Sequence, residues 1–100
     1  MHKLLLFCLL LWTNQAQAAQ EPPIATGKML GDTCASCHGT HGRSFDEYMP
    51  SLAGINRDQL VAAMKDYRAD RRASVVMNRI AKGYNDREIE AIADYFSRIK

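Results

Sequence analysis

Cys34-Ala35-Ser36-Cys37-His38 sets two thiols and an imidazole within a single short run of this chain. On a helical turn residues i and i+3 share a face, so Cys34 and Cys37 point the same way, and His38 follows one turn beyond Cys34. The spacing C-x-x-C-H is the attachment sequence of a c-type haem: two thiols reach the two vinyl groups on one side of the porphyrin, and the imidazole meets the iron. A structural zinc site would need four ligands. Beyond the leader described below, that number is reached only by taking both cysteines with His38 and His41, and the adjacent Cys37 and His38 fit a tetrahedron poorly. A thioredoxin-like dithiol belongs beside a strand-helix-strand pattern, and no run here alternates with strand period.

Upstream of the motif, Ala25 to about Cys37 is compatible with helix in spite of Gly27 and Gly31, each costing roughly 1 kcal/mol against Ala in a helix interior. Those glycines call for a packing reason. Ala19 to Pro23 is a polar arm whose consecutive prolines favour an extended entry. Before it stand basic His2 and Lys3, an apolar run from Leu4 to Trp12, and Ala16-Gln17-Ala18, the layout of an export signal cleaved after Ala18. The apolar run falls well short of the roughly 20 residues that cross a bilayer as a helix. The expected division is therefore a signal peptide over residues 1–18 and a single domain over residues 19–100, exported to the periplasm and without a membrane span once the signal is gone. Cys8 leaves with the signal, since the bulky Leu5, Leu6 and Phe7 before it do not suit a lipoprotein site.

Downstream, Gly39 to Ser44 is a loop by composition, and no period is sustained as far as Pro50. Asn56 with Gln59 three residues on is a capping-box signature for a helix from about Arg57 to Ala69, with Leu60, Val61, Met64 and Tyr67 on its apolar face. A short helical turn is predicted from Val76 to Lys82, stopped by Gly83. Asn85 with Glu88 repeats the capping box, and Ile89, Ile92, Ala93, Phe96 and Ile99 carry helical spacing to the C-terminus. The domain is read as all-α. With 13 Lys and Arg against 11 Asp and Glu in the full sequence, the charge gives no argument for nucleic acid. With only Cys34 and Cys37 left after cleavage, a disulfide scaffold is excluded, and so small a domain gains from a cofactor at its centre.

A second axial ligand to the iron would separate electron transfer from ligand chemistry. Met29 lies on the helix leading into the motif, His41 follows too closely to reach the opposite haem face, and Met64 falls on an apolar helix stripe. Met49 and Met77 remain open on these grounds.

The chain resembles the class I cytochromes c, and particularly the small one-haem proteins allied to the cytochrome subunit of flavocytochrome c sulfide dehydrogenase. The likeness spans Gly27 to Ile99. It rests on the run from Cys34 to Gly42, on Met49-Pro50-Ser51-Leu52-Ala53-Gly54 and on Tyr67-Arg68-Ala69-Asp70-Arg71-Arg72, and continues through Val76 to Tyr84 and Ile89 to Phe96. The resemblance implies a small class I cytochrome c fold wrapped around one covalent haem c, with Cys34 and Cys37 as thioethers and His38 and Met77 as axial ligands. It implies further that the Pro50 carbonyl holds the ring of His38, and that Gly27 and Leu30 meet the C-terminal helix near Ile92 and Phe96. Two positions depart from the pattern: Asp70 stands where glycine is common, and Ile55 where glutamine is common.

The same resemblance implies a periplasmic electron-transfer subunit that performs no catalysis alone. It would accept electrons from a sulfide-oxidising flavoprotein (FAD) subunit and pass them to other carriers. A free monohaem carrier between respiratory or photosynthetic complexes is the alternative, and a haem enzyme or gas sensor would require Met77 to leave the iron open. Lys65, Arg68, Arg71, Arg72, Arg79 and Lys82 form a basic concentration, read first as a solvated face whose arginines also suit haem propionates, and second as a docking surface.

Overall fold

The computed structural model describes residues 24–100. The leader at residues 1–18, its cleavage after Ala18 and the arm before Pro23 lie outside the described residues. Among those described there are five helices and no strand, in the order α1 (Gly27–Asp32), α2 (Ala35–His38), a 3-10 turn (Thr40–Gly42), α3 (Arg57–Arg68), α4 (Met77–Ala81) and α5 (Asp86–Ser97). No described helix is long and apolar enough to cross a membrane.

The expected single helix from Ala25 to Cys37 is divided into α1 and α2. Thr26 caps α1, its hydroxyl accepting from the Met29 amide at 3.2 Å. At the other end the Thr33 amide bonds the Leu30 carbonyl and the Cys34 amide the Gly31 carbonyl, both i to i−3, so the chain tightens. The Thr33 hydroxyl also donates to the Leu30 carbonyl at 2.6 Å, which leaves the Tyr84 hydroxyl to donate to Thr33 at 2.9 Å. A tertiary partner thus turns Thr33 into a helix terminator, and the turn re-aims the segment that carries the two cysteines.

α1 crosses α5, and α3 packs on both α4 and α5. The crossing explains the glycines. A β-carbon on Gly27 would lie 2.3 Å from the Ala91 carbonyl oxygen, and one on Gly31 would lie 2.6 Å from the Tyr95 ring. The contact falls on Ala91, Tyr95 and Phe96, with Phe96 as the resemblance implies and Ala91 in place of its neighbour Ile92. α5 buries Ile89, Ile92, Ala93 and Phe96 against Leu60 and Met64 of α3. Both caps form at the expected residues. Asn85 accepts from the Glu88 amide at 2.9 Å while Glu88 accepts from the Asn85 amide at 3.0 Å, a complete capping box. At α3 the Asn56 side chain accepts from the Gln59 amide at 3.0 Å, so the cap forms without the return bond from Gln59 that the expected capping box would add.

Candidate functional site

A cavity of about 870 Å³ opens between α2, α3, α4 and the segment from Met49 to Ile55, inside the range of roughly 300–1,000 Å³ that cofactor pockets occupy. Its walls are largely apolar, and Cys34, Cys37, His38, Pro50 and Met77 all line it.

Each of these is brought there by a separate local cause. α2 carries the motif as one helical turn, so Cys34, its N-cap residue, and Cys37 share a side with His38 at the end. His38 is buried, only 7% exposed, whereas Cys34 is half-buried and Cys37 exposed. Burial pushes the Cys34 thiol above its ordinary pKa, with a bond to Thr33 opposing, so the thiol stays protonated in neutral water.

After α2 the chain turns through Thr40–Gly42, and the Gly42 carbonyl accepts from the amides of Leu52 at 2.7 Å and Ala53 at 3.1 Å. The Ser51 hydroxyl accepts from the Ser44 amide at 2.9 Å. These bonds fasten the Pro50 segment beside α2, where the His38 Nδ1 donates to the Pro50 carbonyl at 2.7 Å. The donor assignment is forced, because a carbonyl can only accept. Nε2 is thereby left as the nitrogen free to coordinate, and its basicity is raised by the bond on the other side of the ring.

The remaining candidates divide by position. Met29 is 62% exposed and does not line the cavity. His41 is also off its walls, with Nδ1 3.2 Å from the Tyr95 hydroxyl, and among the described residues no three His, Cys, Asp or Glu come together as a metal-binding group. Met49, Met64 and Met77 all line the cavity, Met64 as a buried part of the α3 core and Met77 as the first residue of α4. Ile55 also lines it, so the departure from glutamine there adds apolar wall. Val75 and Ile80 lie at its open side, 97% and 40% exposed.

A covalent haem fits this donor set. An apolar space of macrocycle scale has two thiols at one edge and an imidazole oriented by its Nδ1–H bond in its wall, with thioether sulfur available elsewhere on the lining. The sequence did not single out the Thr33 to Tyr84 bond that closes one wall, nor Arg72 as the arginine of the cavity lining, because both depend on contacts between distant segments.

The profile of the family described as cytochrome c matches residues 24–100. The chain is 41% identical over 73 residues to the cytochrome subunit of sulfide dehydrogenase of Chlorobaculum tepidum, covering 73% of this chain and 66% of that protein, just under two thirds of its length. It is 34% identical to cytochrome c-554(548) of Halomonas halodenitrificans, over 73% of this chain and 92% of that one. It is 32% identical to a thiosulfate dehydrogenase electron acceptor of Stutzerimonas stutzeri, over 66% of this chain and 32% of the relative.

Proposed function

The chain belongs to the cytochrome c family, with one covalently bound haem c as its cofactor, and on that premise we propose that it is a periplasmic electron-transfer subunit that accepts single electrons from a sulfide-oxidising flavoprotein. In this reading Cys34 and Cys37 would hold the haem as thioethers, His38 and Met77 would ligate its iron, and the Pro50 carbonyl orients His38. The haem supplies a one-electron couple whose potential a Met and His pair raises relative to other ligation.

The residues of the chain do the rest. The Pro50 carbonyl fixes the orientation of the imidazole, so His38 would offer Nε2 to a haem iron from a ring already held in place. Buried Leu60 and Met64 of α3 and Ile92 of α5 add apolar wall behind it. Exposed Cys37 beside half-buried Cys34 leaves the attached edge within reach of a partner, and no side chain here is asked to make or break a bond.

The observation that carries the reading is buried His38, bonded at 2.7 Å to a backbone carbonyl in the wall of a cavity that also holds both cysteines. Sulfide as first donor rests on the Chlorobaculum relative, a cytochrome subunit of a sulfide dehydrogenase, and the flavoprotein partner on the resemblance to flavocytochrome c alone. A free monohaem carrier is the second reading, favoured by the Halomonas cytochrome, which is matched over 92% of its length and whose name carries no dehydrogenase. Gentle purification from the native periplasmic fraction, followed by an absorption spectrum, separates them. Flavin in stoichiometric amount with haem supports the subunit; haem alone through several salt conditions overturns it in favour of the free carrier.

A further inference from the structure

Met77 opens α4 directly after residues 69–76, a stretch that is exposed throughout and contains no helix. Burial does not hold this stretch in place: Val75 is 97% exposed, and Ala81 alone of α4 is fully buried. The cap residue Val76 adds no side-chain bond. What fastens the segment is polar. The Lys82 ammonium donates to the Arg68 carbonyl at the end of α3, at 2.9 Å, and to the Asp70 carboxylate at 2.8 Å. Asn78, one turn earlier and on the same side of α4, reaches the other Asp70 oxygen with its side-chain nitrogen at 3.5 Å. The Asn78 amide donates to the Ser74 hydroxyl at 2.9 Å, and that hydroxyl donates in turn to the Asn78 side-chain oxygen at 3.1 Å.

These bonds converge on Asp70, which stands at φ 57, a conformation that favours glycine. A residue with a β-carbon is strained there, and its carboxylate is what glycine could not supply. The Lys82 bond holds that carboxyl below its ordinary range, as a contact that favours the charged form must. Met77 lies between the fastened points, next to Asn78 and five residues before Lys82. A thioether carries no charge to keep it on a metal, so its hold on a ligand position depends on how firmly its own segment is pre-organised. We propose that Asp70 and Lys82 are positioning residues for Met77: their ion pair clips α4 to the end of α3 and so keeps the thioether at the cavity wall.

The neighbouring ion pairs do a different task. Arg71 turns Nε and Nη2 back onto Asp66 of α3, at 3.2 and 2.9 Å. Arg68 reaches the Tyr84 carbonyl and the Asp86 carboxylate, which ties α3 to α5. Neither touches α4, whereas Lys82 closes the connection from α3 to α4 end to end. The Lys82 and Asp70 side chains are 47% and 61% exposed, so the clip is modest in strength and open to screening by salt.

The inference rests on Met77 as an axial ligand and not on the flavoprotein partner, so its test needs the haem-loaded protein alone. Imidazole is titrated into the ferric protein at about pH 8, where the probe is neutral, and its binding is followed by loss of the absorption band from methionine sulfur to iron. The proteins compared are the wild type, Asp70→Asn, Lys82→Gln, the double variant and, as a control that strains the α1 to α5 crossing instead, Gly27→Ala. The apparent affinity of a competing ligand scales with the fraction of molecules in which the position is open. Each single clip variant should therefore bind imidazole about threefold or more tighter than the wild type. The double variant should bind no tighter than the tighter single, since both changes remove one contact. Salt at about 1 M should raise the affinity of the wild type and leave that of Asp70→Asn unchanged, because only the intact pair can be screened. Single variants whose curves superimpose on the wild type, or an equal gain in Gly27→Ala, overturn the clip. If a clip variant does not retain haem, a wild-type affinity indifferent to salt overturns it. A wild type that lacks the band overturns the ligand reading itself, and the clip with it.

Discussion

A methyl group is the smallest probe of the α1 crossing. At Gly27 it would stand 2.3 Å from a backbone oxygen of α5, which cannot swing aside as a side chain can. Gly27 is the first residue of α1, so Ala would gain little of the propensity it brings to a helix interior. Gly27→Ala should therefore destabilise the protein by about 1–3 kcal/mol, read as a lower denaturant midpoint at unchanged slope; a variant as stable as the wild type would show that the helices do not meet there. Asp70 illustrates what one residue type conceals. It occupies the left-handed region at φ 57, where the family commonly has glycine, so the turn keeps the glycine-like conformation in spite of the β-carbon. Its carboxylate bonds Lys82 at 2.8 Å, a contact that glycine could not make and that offsets the strain. Met77 and Met49 both line the cavity, and the proposed ligand set distinguishes them. Met77→Ala should abolish the absorption band from methionine sulfur to ferric iron and lower the midpoint potential, while Met49→Ala keeps the band; the reverse pattern would move the axial role to Met49.

At the scale of elements, what could be read from the chain depended on how local its causes are. α5 was legible to within its last turn because Asn85, Glu88 and the Ile89, Ile92, Phe96 spacing all act inside the helix itself. The break between α1 and α2 was not, because the Tyr84 hydroxyl that engages Thr33 comes from 51 residues away. The same holds for the basic concentration after α3. Lys82 is paired with Asp70, Arg68 with Asp86 and Arg71 with Asp66, so half of the six cations are ion-paired, and pairing of this kind is invisible before the helices are placed. Arg68 to Asp86 ties the end of α3 to the start of α5. The Arg68 hydrogen bond, aided by the charges of Lys65 and Arg68, holds the Asp86 carboxyl below its usual pKa. Its unfolded form therefore binds the proton more readily than the folded one. The stability it contributes is complete above the unfolded carboxylate value, about 3.9, and is lost as pH falls from there through the lower folded value. Asp70, lowered by its bond to Lys82, acts in the same direction. Asp86→Asn should be less stable than the wild type near neutrality and converge with it in acid. Unfolding curves collected across that range check this, and a constant gap at every pH would mean that the ion pair is idle.

For the whole molecule, the decisive feature is that the space between α2, α3 and α4 is a cavity of about 870 Å³ and not side chains. The need for a central cofactor was legible from the size of the domain and from the C-x-x-C-H motif. The shape of the space was not, since it is set by the α3 to α4 packing and by the Gly42 bonds that fasten the Pro50 segment. The buried apolar side chains gather on the α5 side, around Ile89, Ile92 and Phe96, whereas α4 contributes only Ala81 to the fully buried set. The two halves should thus depend on the cofactor to different degrees. Replacing both cysteines, Cys34→Ala with Cys37→Ala, removes covalent attachment while leaving the α1 to α5 crossing intact in sequence. In haem-free protein made this way, amides of α4 and of residues 71–76 should exchange at rates close to those of an unstructured chain. Amides at the centre of α5 should keep measurable protection, because their contacts with α1 and α3 do not pass through the cavity. Hydrogen exchange resolved by residue distinguishes the cases. Loss of protection in α4 and α5 together would make the haem the centre of one cooperative unit, and retention in both would mean that α3 and α4 hold the cavity open without it.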